Sequence, residues 1–283
     1  MKAPPFAYAR ARSTAELFDL LGQYGDGARI LAGGQSLIAS LNLRLSEPQV
    51  LVDITHLPDL RGITVADGIV TIGALTRHAE VAGSDLVRRQ VPLLAQAVAH
   101  IAHPAIRNRG TIGGSLALND PAAEYPAVAL ALGATLVVRG PAGVRRIPAA
   151  EFFRGIYATA LAADELLETV EFPVQAPGER AVFLELARRH GDYAMVGLAA
   201  QGRMEAGQAA GLRLVFFAVG DGPVEARAAM AAAQGGPLRD RIAAAQAALD
   251  ADLDPPGDLN AAPATRRHLA RVLLGRALTE MAA

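Results

Sequence analysis

The sequence predicts an α+β fold, and three observations predict it. A β-α-β unit opens the chain, a hairpin signal follows at residues 63–73, and three strand-like runs then give way to alanine-rich helices. At 283 residues the chain exceeds what one core usually serves, so two or three subdomains are expected.

Taken in order, Ser13 suits the N-cap of a helix over residues 14–24 that carries Leu17, Leu20 and Leu21 on one face. Residues 29–32 read as a strand, 36–45 as a helix and 50–54 as a second strand. Asp67-Gly68, between the apolar runs of "ITVADGIVTIG", is a two-residue hairpin turn. Helices follow over 77–83 and 92–101. Asp120-Pro121 reads as a cap and first turn, and Gly133 as the stop of that helix. Residues 134–139 form a strand that turns at 141–143. The stretch "FPVQAPGER", residues 172–180, marks a boundary between a first domain (1–174, with lobes 1–56 and 57–174) and a second (175–283). Beyond it lie strands near 181–188, 195–203 and 212–219, then helices.

Composition removes several chemistries. A formal net charge of −1 gives no electrostatic case for nucleic acid or an anionic membrane. With no cysteine the chain forms no disulfide and supplies no thiolate to zinc or iron–sulfur. Lys2 is the sole lysine, which leaves no Schiff-base or P-loop lysine. No apolar run reaches membrane-spanning length, and "MKAPPFAYARARS" lacks the apolar core of a secretory signal, so a cytoplasmic location is expected. His100 and His103 lack a third ligand beside them, and Ser36 and Ser115 do not sit in G-x-S-x-G. No metal site, hydrolase nucleophile or acid–base dyad is assigned.

Two glycine turns carry the chemistry. Ala32-Gly33-Gly34-Gln35-Ser36 joins a strand to a helix, where glycines let backbone N–H groups approach an anion unobstructed. Alone it is equally a tight connection with a serine cap. Thr111-Ile112-Gly113-Gly114-Ser115 repeats the design, and two such turns can grip both phosphates of a pyrophosphate. No G-x-G-x-x-G follows a strand, so an ordinary Rossmann site fits poorly.

The stretches "LAGGQSLIASLNLRL", "HPAIRNRGTIGGSLALNDPAAEYPAV" and "ARRHGDYAMVG" resemble the FAD-binding medium subunit of the molybdenum hydroxylases. The resemblance, which spans essentially the whole chain, implies a two-lobed FAD-binding domain of the PCMH type. It also implies a C-terminal domain with a three-stranded antiparallel sheet and helices. Residues 32–36 and 111–115 match turns that hold the FAD pyrophosphate, and Glu124 a position that bonds ribityl or ribose hydroxyls. Leu167 matches a position whose backbone meets the flavin ring, Tyr193 an aromatic that covers it, and Ile101 an apolar contact. By residue type alone, Glu124 is equally a first-turn acid, Leu167 a core residue and Tyr193 a half-buried turn aromatic. Glu185 stands where several relatives carry lysine; an acid there would disfavour an anionic reduced ring, so it is assigned no ring contact.

The function implied is electron transfer through FAD. A large molybdopterin subunit would oxidise the substrate, and a small subunit with 2Fe-2S clusters would relay electrons to this chain. NAD or another acceptor would receive them, in a dimer of heterotrimers. Two alternatives stay open: a free-standing FAD-dependent oxidoreductase of the related fold, and a non-catalytic nucleotide-binding module.

Overall fold

The computed structural model describes residues 2–283, in which three main sheets follow one another along the chain. The first lobe is a parallel sheet of strands Ala7–Arg10, Val50–Asp53 and Ala28–Leu31, with Val50–Asp53 in the centre. All four residues of that central strand are buried, as both of its faces are covered. The edge strand Ala7–Arg10 adds to the expected β-α-β unit; mostly exposed on both faces, it carries no apolar alternation that sequence reading detects. Helix Thr14–Tyr24 covers the sheet, and the Ser13 hydroxyl accepts the Glu16 N–H at 3.1 Å.

The helix after the first glycine turn is shorter than residues 36–45 suggested. It runs over Leu37–Asn42, Ser36 makes no side-chain cap bond, and Arg44 (φ 58°) enters the left-handed region and ends it. Leu43 and Leu45, inside the expected helix range, lie beyond its end and are exposed.

The second lobe is an antiparallel sheet in the order Ile63–Ala66, Ile69–Gly73, Leu166–Pro173, Thr135–Gly140, Gly143–Pro148. Asp67 (φ 50°) and Gly68 (φ 74°) both take the positive torsions that a two-residue hairpin turn of this hand requires. Helix Glu124–Ala131 begins later than Asp120-Pro121 suggested. Asp120 caps a turn instead, its Oδ1 accepting the Ala122 N–H at 2.9 Å. This helix is apolar all round and therefore buried, from Tyr125 through Ala131. It lies between the second and third sheets, and Phe183 and Phe217 of the third sheet join its core.

The third sheet has three long antiparallel strands, Glu179–Ala187, Ala194–Glu205 and Gln208–Phe217, plus a two-residue edge strand, Val224–Glu225. Helices Arg227–Ala232, Leu238–Ala248 and Pro263–Ala282 cover its outer face. Arg266 of the last helix is buried, and its Nη1 donates to the carbonyls of Met195 and Ala218. Its Nη2 bonds Asp258 at 2.5 Å, so the charge is partnered.

Candidate functional site

The two glycine turns lie against each other, and Gly33 is the reason they can. A Cβ at Gly33 would lie 2.8 Å from both the Arg109 carbonyl carbon and the Gly110 Cα, and closer still to the Arg109 oxygen. Only glycine permits this approach of backbone to backbone. Gly113 does the same a layer deeper, where a Cβ would lie 2.7 Å from Ala74 Cα. Gly34 needs its freedom for a different reason: its φ is +73°. Gly114 is exposed, and a Cβ there would meet only the Thr111 hydroxyl, at 2.9 Å.

The turns differ in what they offer an anion. In the second, the four amides of residues 112–115 already have protein acceptors. Ile112 N–H donates to the Thr76 carbonyl (3.0 Å), Gly113 to Ala74 (2.9 Å), Gly114 to Thr111 Oγ1 (3.1 Å) and Ser115 to the Thr111 carbonyl (3.1 Å). In the first, the backbone N–H groups of Gly33, Gly34, Gln35 and Ser36 have no acceptor among the described residues. Gln35 turns its side chain back to the Gly33 carbonyl at 2.9 Å, which fixes the loop. The expectation that both turns present free amides is therefore corrected. The first turn carries the donors, and the second supplies a close wall and the Ser115 hydroxyl.

Beside the first turn opens a cavity of about 300 Å³, bordered by Ala32, Gly33 and Thr111 of the two turns. Arg61, Arg77 and Arg109 also line it, together with His56. None of these three arginines has a carboxylate within 4.0 Å among the described residues. Three guanidinium groups without counter-ions, next to four amides without acceptors, form a site whose chemistry fits a polyanion such as a pyrophosphate. The sequence reading passed over these arginines. Arg109 stands two residues before Thr111, and that adjacency is the only signal the sequence holds for any of them.

Beneath the second turn, His78 is buried with its ring 5.3 Å from that of Tyr125. Burial, and then the Arg107 charge, push its pKa down to about 4, so it is neutral. A Cβ on Gly110 would lie 2.6 Å from His78 Nε2, so this ring sets the height of the turn.

The expected second turn is the N-terminal part of helix Ile112–Leu118, capped by the Thr111 hydroxyl, and the helix spans about 10 Å at 1.5 Å per residue. Its far end holds a second group of side chains. Asn119, buried and left-handed (φ 51°), donates from Nδ2 to the carbonyls of Gly155 (2.8 Å) and Ala158 (3.0 Å). It thereby positions Tyr157, which is exposed at the tip of a short hairpin. Glu124 follows at the start of its helix, and burial first, then the Asp120 charge, raise its pKa to about 7. Tyr193 is exposed, but shielding of its hydroxyl end, then Asp120, Tyr157 and Glu124, raise its pKa.

The remaining candidates are placed as follows. Leu167 is buried, and between Leu167 and Thr169 the strand slips register against Val138 and Val137 of the neighbouring strand. The Ala74 N–H donates to the Glu168 carbonyl at 2.9 Å, so this bulge is tied to Gly113 through one residue. Ile101 is buried beyond the end of helix Pro92–Val98, with its carbonyl and that of Ala102 on Arg107 Nη1 at 2.7 and 2.8 Å. The segment "ARRHGD" folds onto this point, since a Cβ on Gly191 would lie 2.8 Å from the Ala102 oxygen. The arrangement is thus a polyanion site at one end, a helix-length gap, and a tyrosine and carboxyl group at the other.

Comparison with known proteins gives two family matches. Residues 4–175 match the FAD binding domain in molybdopterin dehydrogenase, and residues 181–281 match the CO dehydrogenase flavoprotein C-terminal domain. The chain is 34% identical over 283 residues to the glyceraldehyde dehydrogenase medium chain of Sulfolobus acidocaldarius, covering 100% of both. It is 47% identical over 199 residues to the 6-hydroxypseudooxynicotine dehydrogenase complex subunit alpha of Paenarthrobacter nicotinovorans, covering 70% of this chain and 67% of that one. Among solved structures it superposes on carbon monoxide dehydrogenase from Hydrogenophaga pseudoflava with a TM-score of 0.96 at 37% identity, covering 99% and 98% of the two chains. Among the described residues, no helix is long and apolar enough to cross a membrane.

Proposed function

The chain belongs to the FAD-binding flavoprotein subunits of the molybdenum hydroxylase family, and from that premise we propose that it is the electron-transfer component of a heterotrimeric dehydrogenase. Iron–sulfur clusters of a small partner subunit deliver electrons to it. A large subunit with the molybdenum cofactor oxidises the organic substrate, and NAD or another acceptor takes the electrons from this chain, in the cytoplasm. Bound FAD supplies the ability to take up electrons singly and release them in pairs.

The chain's own residues bind and orient the cofactor. The free amides of residues 33–36 and the wall of residues 111–115 would hold its pyrophosphate, and Arg61, Arg77 and Arg109 would balance the charge. Glu124, beyond the far end of the helix that starts after Thr111, would bond ribityl or ribose hydroxyls. Ile101, the backbone at Leu167 and Tyr193 would contact the ring. One observation carries this reading: four amides without acceptors on the first turn, beside a cavity lined by three arginines without a carboxylate partner, with the two turns in contact at Gly33.

The test is flavin bleaching in the FAD-loaded chain. A reduced partner subunit with 2Fe-2S clusters bleaches it. Purines, N-heterocycles, aldehydes and carbon monoxide, added to the chain without partners, leave its absorbance unchanged. Bleaching by any of these in the isolated chain would overturn the proposal and favour a free-standing oxidoreductase.

A further inference from the structure

The arginine-lined cavity is assembled from separate segments, each fixed by its own contacts. It lies at the carboxyl ends of two first-lobe strands, since Ala32 follows Ala28–Leu31 and Thr55 follows Val50–Asp53. That end of a parallel sheet is where nucleotides commonly bind. Asp53, buried at the end of the central strand, holds the Thr55 wall. Its Oδ1 accepts the Thr55 N–H at 2.8 Å and the Thr55 hydroxyl at 2.7 Å, and its Oδ2 accepts the Tyr8 hydroxyl. Arg61 Nη2 donates to the Thr55 carbonyl at 3.4 Å. On the opposite side, Arg77 forms an antiparallel bridge with Thr111, and the Arg109 carbonyl abuts Gly33. Arg77 and Arg109 are thus attached to the glycine turns, and Arg61 to neither. Buried Leu75 adds an apolar surface to the lining, and His56 an aromatic one.

Three guanidinium groups exceed what the pyrophosphate of FAD requires. Each of its phosphates is substituted on two oxygens and carries one negative charge, two in all. A free nucleoside 5′-diphosphate ends in an unsubstituted phosphate whose second ionisation lies near pH 6, so it carries nearly three charges at about pH 7.5. The four amides of residues 33–36 add donors without adding charge. The cation left for a third negative charge is Arg61, on the wall away from the turns. Glu124 and Tyr193, the residues assigned to the flavin half, do not line the cavity, so its donors and cations are complete without them.

We propose that this cavity is a nucleoside-diphosphate site in its own right: the chain without FAD binds a nucleoside 5′-diphosphate there, in competition with FAD, and Arg61 bonds the terminal phosphate. The proposal rests on the reading of the paired turns as the pyrophosphate site of FAD. Its consequence is that FAD loading depends on the nucleoside-diphosphate concentration by mass action.

The experiment is calorimetric titration of the full apo-chain with ADP, AMP and inorganic pyrophosphate at one ionic strength, followed by FAD titration at rising ADP. One ADP should bind per chain, roughly tenfold or more tighter than AMP, which lacks the second phosphate, and tighter than pyrophosphate, which lacks the nucleoside. ADP should raise the apparent Kd of FAD in proportion to its own concentration. Arg61→Met should weaken ADP roughly tenfold, and FAD severalfold less than that. Arg61→Lys, which keeps the charge, should restore most of the ADP affinity, whereas Arg109→Met should weaken both ligands alike. FAD binding that ADP does not oppose, pyrophosphate binding as tightly as ADP, or equal losses of ADP and FAD in Arg61→Met would each overturn the proposal and leave the FAD site standing. A chain that binds neither FAD nor ADP would overturn both.

Discussion

Replacing Gly33 with alanine is the sharpest perturbation the site offers. The new methyl would lie 2.8 Å from Arg109 C and Gly110 Cα, whereas ordinary contact begins at 3.4 Å, so the turns must separate by about 0.6 Å or more. Neither neighbour is a flexible side-chain end; both are backbone, and the same segment is held by the His78 N–H on the Gly110 carbonyl at 3.0 Å. Overpacking of this kind costs roughly 1–3 kcal/mol. The larger effect falls on the ligand. Two charge-assisted hydrogen bonds lost at about 1.5–3 kcal/mol each weaken FAD binding roughly 10²- to 10⁴-fold. The assay is titration of the apo-chain with FAD by flavin fluorescence, beside a thermal melt of the apo-chain. The variant should melt a few degrees lower and bind FAD at least a hundredfold more weakly. A Gly33→Ala chain with wild-type FAD affinity would refute the packing of the two turns as the basis of the site.

Other outcomes follow from the same geometry. Gly114→Ala touches only the Thr111 hydroxyl and should cost about 1 kcal/mol of stability, whereas Gly113→Ala, against the Ala74 backbone, should cost several times that in a denaturant titration. A β-branched residue at Gly114 or at Gly34, whose φ is +73°, should reduce FAD retention on gel filtration. His78 is neutral in the folded chain with its pKa lowered to about 4, so unfolding takes up a proton between pH 6.5 and 4 and stability falls as pH drops through that window. The loss is roughly 3 kcal/mol at its limit, and it should vanish from the stability–pH profile of His78→Leu. Arg266→Met removes bonds to two carbonyls and to Asp258 and should destabilise the chain by about 3 kcal/mol in the same titration.

The fold was legible where local chemistry decides it. The Ser13 cap, the Asp67-Gly68 turn and the strand–helix segregation all act within a few residues, and each appears where the sequence placed it. The edge strand Ala7–Arg10 and the two-residue strand Val224–Glu225 were hidden, because neither buries an alternating face. The glycine turns stood out as residue types. Which glycine carries the contact did not, because Gly33 meets a carbonyl 76 positions away. The three arginines were invisible for a related reason: arginine is common, and only the tertiary structure shows which guanidinium groups lack a carboxylate. Glu185 looked like a departure from its relatives' lysine, but its burial, which raises its pKa, emerges only when the third sheet packs on the FAD-binding unit.

The central claim is that the paired turns hold a pyrophosphate rather than a single phosphate. Competitive titration of the apo-chain with FAD and FMN tests it most directly, since FMN carries the same ring but neither the second phosphate nor the adenosine. One FAD should bind per chain, with FMN weaker by at least about a hundredfold, the loss of roughly 2.7 kcal/mol of phosphate contacts. Equal affinity for the two flavins would contradict the account, because the turns would then grip no pyrophosphate.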